Sequence, residues 1–216
     1  MAKKLGKVKK PSAKKFEKGR KLFFLPLILT PEKASPDLQA LLDKYWQQSQ
    51  EQINNLEAKL AQVKKVYHEW IADIGEGGIK AMEEIDTGSK QIVKCCLDRE
   101  AKFQPVEDSS LLNEFIDWSR CLSVGLLSRK VFAQVYQSYN EVQKKRQEQI
   151  AKRIDETLKS DEIGLLVMRE GHKVQFPSDI QVFYIAPPAL DEIRRWLREK
   201  GSGSKESSTK ESNSKG

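Results

Sequence analysis

The chain has 216 residues, a net charge of +7 and an ordinary hydrophobic content of 38%, enough for one good-sized domain or two small ones. No apolar run approaches the length of a transmembrane helix. The apolar run near the start, Leu22–Leu29, is too short for a secretory signal, contains Pro26 and lacks a small-residue cleavage site.

The charge is unevenly placed. Residues 1–21 hold nine lysines and Arg20 against the single acid Glu17, a net of +9 that leaves −2 for residues 22–216. This stretch has little apolar periodicity and reads as a disordered basic arm. Its lysines, Lys3, Lys4, Lys7, Lys9, Lys10, Lys14 and Lys15 among them, suit neutralisation of phosphates without base reading. A merely solubilising leader fits the same composition.

Leu22–Leu29 is a candidate first strand. Pro26 cannot donate to a ladder, so an edge position or a bulge is expected. Thr30-Pro31-Glu32 and Ser35-Pro36-Asp37 are helix starts: a hydroxyl caps, a proline takes the first helical position, and an acid follows near the positive end of the dipole. An amphipathic helix then runs from Pro36 to about Val63, with Leu38, Leu42, Tyr45, Ile53, Leu56 and Leu60 near helical spacing.

Lys64–Ile71 is a second strand, with a continued helix as the competing reading, and Asp73–Gly78 is a glycine-rich loop. Short helices follow over Ile79–Ile85 and Ser89–Leu97. Asp108 or Ser109 caps a helix that buries Leu111, Leu112, Phe115, Ile116 and Trp118, and Gly125 ends it. The longest helix spans about Ser128–Lys159. Its stripe is Val131, Val135, Tyr139 and Val142, then Ile150, Ile154 and Leu158; Gln143–Gln149 has no apolar residue and is expected to be exposed.

Two apolar runs, Ile163–Met168 and Ile180–Ile185, read as buried strands. Pro187-Pro188 opens a final helix over Ala189–Lys200, and residues 201–216 read as a flexible tail. Strands alternating with helices predict an α/β fold with a mostly parallel sheet flanked by helices. A long central helix and two closely packed lobes, 22–125 and 126–200, complete the expectation.

In such sheets ligands sit beyond the carboxyl ends of the strands. His68 and Glu69 follow the second strand; Arg169, Glu170, Gly171 and His172 follow the third. Histidine can act as acid or base near neutrality when a carboxylate orients it. No nucleophile motif accompanies the group, so unrelated boundary histidines are the plainer reading. Gly75-Glu76-Gly77-Gly78 lacks the spacing of a phosphate-binding loop.

Cys95, Cys96 and Cys121 form no ligand spacing or disulfide framework. They point to a reducing, cytoplasmic setting with no structural metal, and no cofactor is implied. Lys144, Lys145 and Arg146 form a candidate phosphate-contacting stripe, diluted by Glu141 and Glu148.

The segment IAKRIDETLKSDEIGLLVMREGHKVQFPSDIQVFYI resembles the last domain of the archaeal and eukaryotic peptide-release factors, the Pelota group and their bacterial relatives. The resemblance covers residues 145–200. It implies an α/β sandwich akin to RNA-binding ribosomal-type domains. That family's hydrolytic Gly-Gly-Gln is absent, since Ile79 follows Gly77-Gly78, so peptidyl-tRNA hydrolysis is not implied. The resulting expectation is a non-catalytic RNA- or ribosome-associated protein without membrane association. Two other readings stand beside it: a small-ligand-binding or hydrolytic protein using His68, Glu69, Arg169 and His172, and a protein-interaction adaptor presenting the long helix.

Overall fold

In the computed structural model, residues 18–29, 34–72, 77–78, 80–81 and 88–210 are described. Five strands form one all-parallel sheet in the order β3-β2-β4-β1-β5. They are β1 (Lys21–Pro26), β2 (Val63–His68), β3 (Lys102–Phe103), β4 (Ile163–Met168) and β5 (Gln181–Tyr184). Among the described residues they are flanked by α1 (Pro36–Glu57), α2 (Ser89–Leu97), α3 (Ser109–Ser123), α4 (Arg129–Thr157) and α5 (Pro188–Lys210).

The α/β class is as the alternating pattern predicts, and the lobe boundary near residue 125 does not divide the sheet. β4 lies between β1 and β2, so strands from both sides of that boundary interleave. β4 and β1 are buried along their whole length, because helices cover both faces of a parallel sheet. Phe23, Leu25, Val66, Leu165 and Val167 face α1, α2 and α5. Leu22, Phe24, Tyr67, Leu166 and Met168 face Ile150 and Ile154 of α4 and Leu158, its C-cap.

Several expectations are corrected. β1 is an interior strand, not an edge. Pro26 is its last residue, so the missing N–H falls where the ladder ends, and the Pro26 carbonyl accepts from the Tyr45 hydroxyl at 2.7 Å. β5 is an edge strand of alternating exposure, with Val182 and Tyr184 open to solvent. The opposite edge, β3, had no strand signal in two residues. α1 stops at Glu57, whose carboxylate accepts the Val63 N–H at 2.9 Å, and β2 begins at Val63 and ends at His68.

The basic arm does not extend to residue 21. Lys21 opens β1, and the Arg20 guanidinium pairs with Asp179 at 2.7 Å and Asp155 at 2.8 Å. α5 passes the expected end at Lys200. The Thr30-Pro31 helix start, Gly75 and Glu76 lie outside the described residues, as does most of the short helix expected over 79–85.

The caps of α1 and α3 were readable, and Ser128 was placed only as the start of the longest helix. Ser35 accepts from the Leu38 N–H of α1, Asp108 from Ser110 and Leu111 of α3, and Ser128 from Val131 of α4. No described helix is long and apolar enough to cross a membrane.

Candidate functional site

Parallel strands all end on the same edge, and here that edge gathers the charged residues. Glu69 follows β2 directly, and its N–H continues the ladder to the Val167 carbonyl at 2.9 Å. Residues alternate across a strand. His68 therefore shares the Val66 face, toward α2, while Glu69 shares the Tyr67 face, toward α4.

Glu69 is buried and takes two arginines. Arg169 donates its backbone N–H at 2.8 Å and its Nη2 at 3.0 Å, and Arg146 of α4 donates Nη2 at 3.0 Å. Arg146 also binds Glu107, from the loop before α3, through Nε at 2.8 Å and through Nη2. Its guanidinium lies 4.8 Å from the Phe115 ring and 5.5 Å from the Trp70 ring, and Arg169 lies 4.6 Å from Trp70. Two carboxylates and two guanidinium groups balance, which is what allows such charges inside.

Burial alone would push the Glu69 carboxyl up, but the hydrogen bonds and charge of Arg169, with the charge of Arg146, hold it below the usual range. Glu69 is thus a fixed anion, not a proton shuttle. Trp70 has φ +77°, a conformation that costs a bulky residue roughly 1–3 kcal/mol. It is held there by its N–H bond to Glu107 at 3.2 Å and by the cations on its ring.

Above the network lies a cavity of about 150 Å³ lined by Glu69, Tyr139, Gln143, Arg146, Gln147, Met168, Arg169, Glu170, Gly171 and His172. It opens, through the shared Gln143 and Gln147, into a cleft of about 590 Å³ between α4 and the segment after β4. Asn140, Lys144 and Glu148 form one wall and Lys173 and Gln175 the other. The His172 ring packs on Phe24 at 4.8 Å. Its Nδ1 accepts from the Val174 N–H at 3.3 Å, so Nε2 carries the proton. Burial holds its pKa below the usual value despite Glu69, so the ring is neutral near pH 7 and offers an N–H donor.

The sequence placed His68, Glu69, Arg169 and His172 together. The structure brings Glu69, Arg169 and His172 to one cavity and leaves His68 out. His68 is buried on the other face, where Nδ1–H donates to its neighbour's carbonyl at 2.5 Å and Nε2 accepts from Ser89 at 3.2 Å. The two histidines therefore do not converge. Glu170 reaches the rim, but its carboxylate is bound by Tyr184 and Arg194.

The expected exposure of Gln143–Gln149 is corrected at Arg146 and Gln147, both buried. Lys144 and Lys145 are exposed as expected; the lysines of the arm, Lys3 to Lys15, lie outside the described residues. Sequence reasoning missed Arg146 as a network member, yet a signal existed. Val142, Arg146, Ile150 and Ile154 step by four, so Arg146 occupies a core position of the α4 stripe. Glu107, in a loop, had no such signal. Buried Cys96, its thiol pushed up to about 11 chiefly by burial, is a packing residue. Among the described residues no cluster of His, Cys, Asp and Glu could hold a metal ion.

Comparison with protein-family models, with curated proteins and with solved structures finds no match.

Proposed function

We propose that the protein binds a small ligand through an oxyanion, a phosphate or carboxylate group, in the cleft at the carboxyl edge of the sheet. The observation that carries this reading is the convergence of donors there. Arg169, His172 and Lys173 come from one segment after β4, and Gln143 and Gln147 face them from α4. Glu69 consumes Nε and Nη2 of Arg169, which leaves Nη1 for a further acceptor. The Glu69 charge is already cancelled by Arg146 and Arg169, so it does not repel an anion. Ligand sites of open parallel sheets sit at this edge, and planar guanidinium groups suit oxyanions.

The test is the gain in melting temperature on adding inorganic phosphate to the full chain, with chloride at matched ionic strength as reference. Phosphate also stabilises proteins generally by exclusion from their surface, so the wild type is compared with His172→Ala and Lys173→Ala. A bound ligand stabilises by about 2.7 kcal/mol at a hundredfold excess over Kd. The wild type should gain more than either variant. Equal gains in all three proteins would contradict the reading.

A further inference from the structure

The cleft continues outward along α4. The helix runs antiparallel to the strands: Thr157 meets Tyr67 on the inner face at 3.0 Å, and Arg146 stands level with Glu69 at the carboxyl edge. The half of α4 before Arg146 therefore projects past the sheet, braced by α3 through the Phe115–Tyr139 contact at 5.3 Å. At 100° per residue, Phe132 and Tyr136 fall on the same side of α4 as Gln143, Gln147, Ile150 and Ile154. Ile150 and Ile154 pack on the sheet. Phe132 and Tyr136 thus overhang the open space in front of the cleft.

These two rings are 47% and 50% exposed, and they stack on each other at 5.8 Å and 9°. Folding gains little from leaving two ordered aromatic rings in water on the side of the helix that faces a donor-lined cleft. Measured from Gln143, Tyr136 lies about 10 Å and Phe132 about 16 Å along the axis. That is the reach of roughly three to five nucleotides at the 3.4 Å spacing of stacked bases.

Resting on the cleft as an oxyanion site, we propose that its ligand is a short single-stranded nucleic acid. One phosphate sits among Arg169, His172 and Lys173, and the bases beyond it stack on Tyr136 and Phe132. Aromatic platforms beside a basic groove are the physical basis of single-strand binding, because every base has a π-face. Lys144, exposed on the wall of the cleft, follows the backbone. A protein partner for the rings would account for them but not for their alignment with the donors of the cleft.

The experiment titrates full-length protein with a 5′-phosphorylated hexauridylate, and separately with inorganic phosphate. The wild type is set beside Phe132→Ala, Tyr136→Ala and Lys173→Ala. Both rings are on the surface, so the variants fold. Each ring removed should weaken the hexamer roughly tenfold and leave phosphate binding unchanged, whereas Lys173→Ala should weaken both. Hexamer affinity equal in the wild type and both ring variants would overturn the proposal, as would phosphate binding with no hexamer binding; in either case the oxyanion site itself survives. If neither ligand binds, the oxyanion reading falls with it.

Discussion

Arg146 shows how one residue couples the fold to the site. It is 3% exposed, sandwiched between Phe115 and Trp70, and it serves both Glu69 and Glu107. Removing one partner of a buried ion pair costs about 3–5 kcal/mol, because the partners stay buried and unpaired. Arg146→Met should lose that much stability in urea unfolding at pH 7. A loss below about 1 kcal/mol would mean that water reaches the carboxylates. Arg146→Lys should recover only part, since an ammonium lacks the planar fork that spans two carboxylates.

His68 gives the pH dependence. Burial lowers its pKa below the ordinary 6.5, more than the carbonyl and carboxylate of Glu69 raise it. His172 is lowered by burial as well. The unfolded chain then takes up protons near pH 6.5 that the folded chain refuses. Stability is full above that pH and falls as pH drops through 6.5. Melting temperatures recorded from pH 8 to 5.5 should decline, and His68→Gln should flatten the decline. Identical slopes in both proteins would rule out His68 as a source.

At the scale of elements, periodicity explains both what was legible and what was not. Caps and apolar stripes placed α1, α3 and α4, because those signals are local. The carboxyl-edge position of Glu69, Arg169 and His172 was also legible, since strand ends in a parallel sheet share an edge. The face of each residue was not: one position along β2 separates His68 from Glu69, and alternation sends them to opposite sides of the sheet. Pro26 misled because the rule against proline applies within a ladder and not at its last rung.

β4, the centre of the sheet, carries a further test. A Cβ at Gly164 would lie 2.8 Å from Tyr67 Cε2 and 3.0 Å from Leu22 Cδ1. Gly164→Ala should therefore cost about 1–3 kcal/mol through overpacking, read as a lower midpoint in urea. An unchanged midpoint would show that Tyr67 moves freely, contrary to its bond with Thr157 at 3.0 Å.

At the scale of the molecule, the sheet supplies a rigid edge and α4 supplies reach. A helix of 29 residues is about 43 Å long, far more than six-residue strands need for cover, and the excess projects over the site. The connection from β4 to β5 passes over β1 without a helix, and that segment carries Gly171, His172 and Lys173. The same crossover that completes the sheet thus delivers the wall of the cleft.

The most direct measurement is a phosphate titration of ¹⁵N-labelled full-length protein, followed by amide chemical shifts. Oxyanion binding in the cleft predicts saturable changes confined to residues 169–175 and to Gln143 and Gln147 of α4. Changes centred on the lysines of residues 1–17, or changes that never saturate at any site, would contradict it.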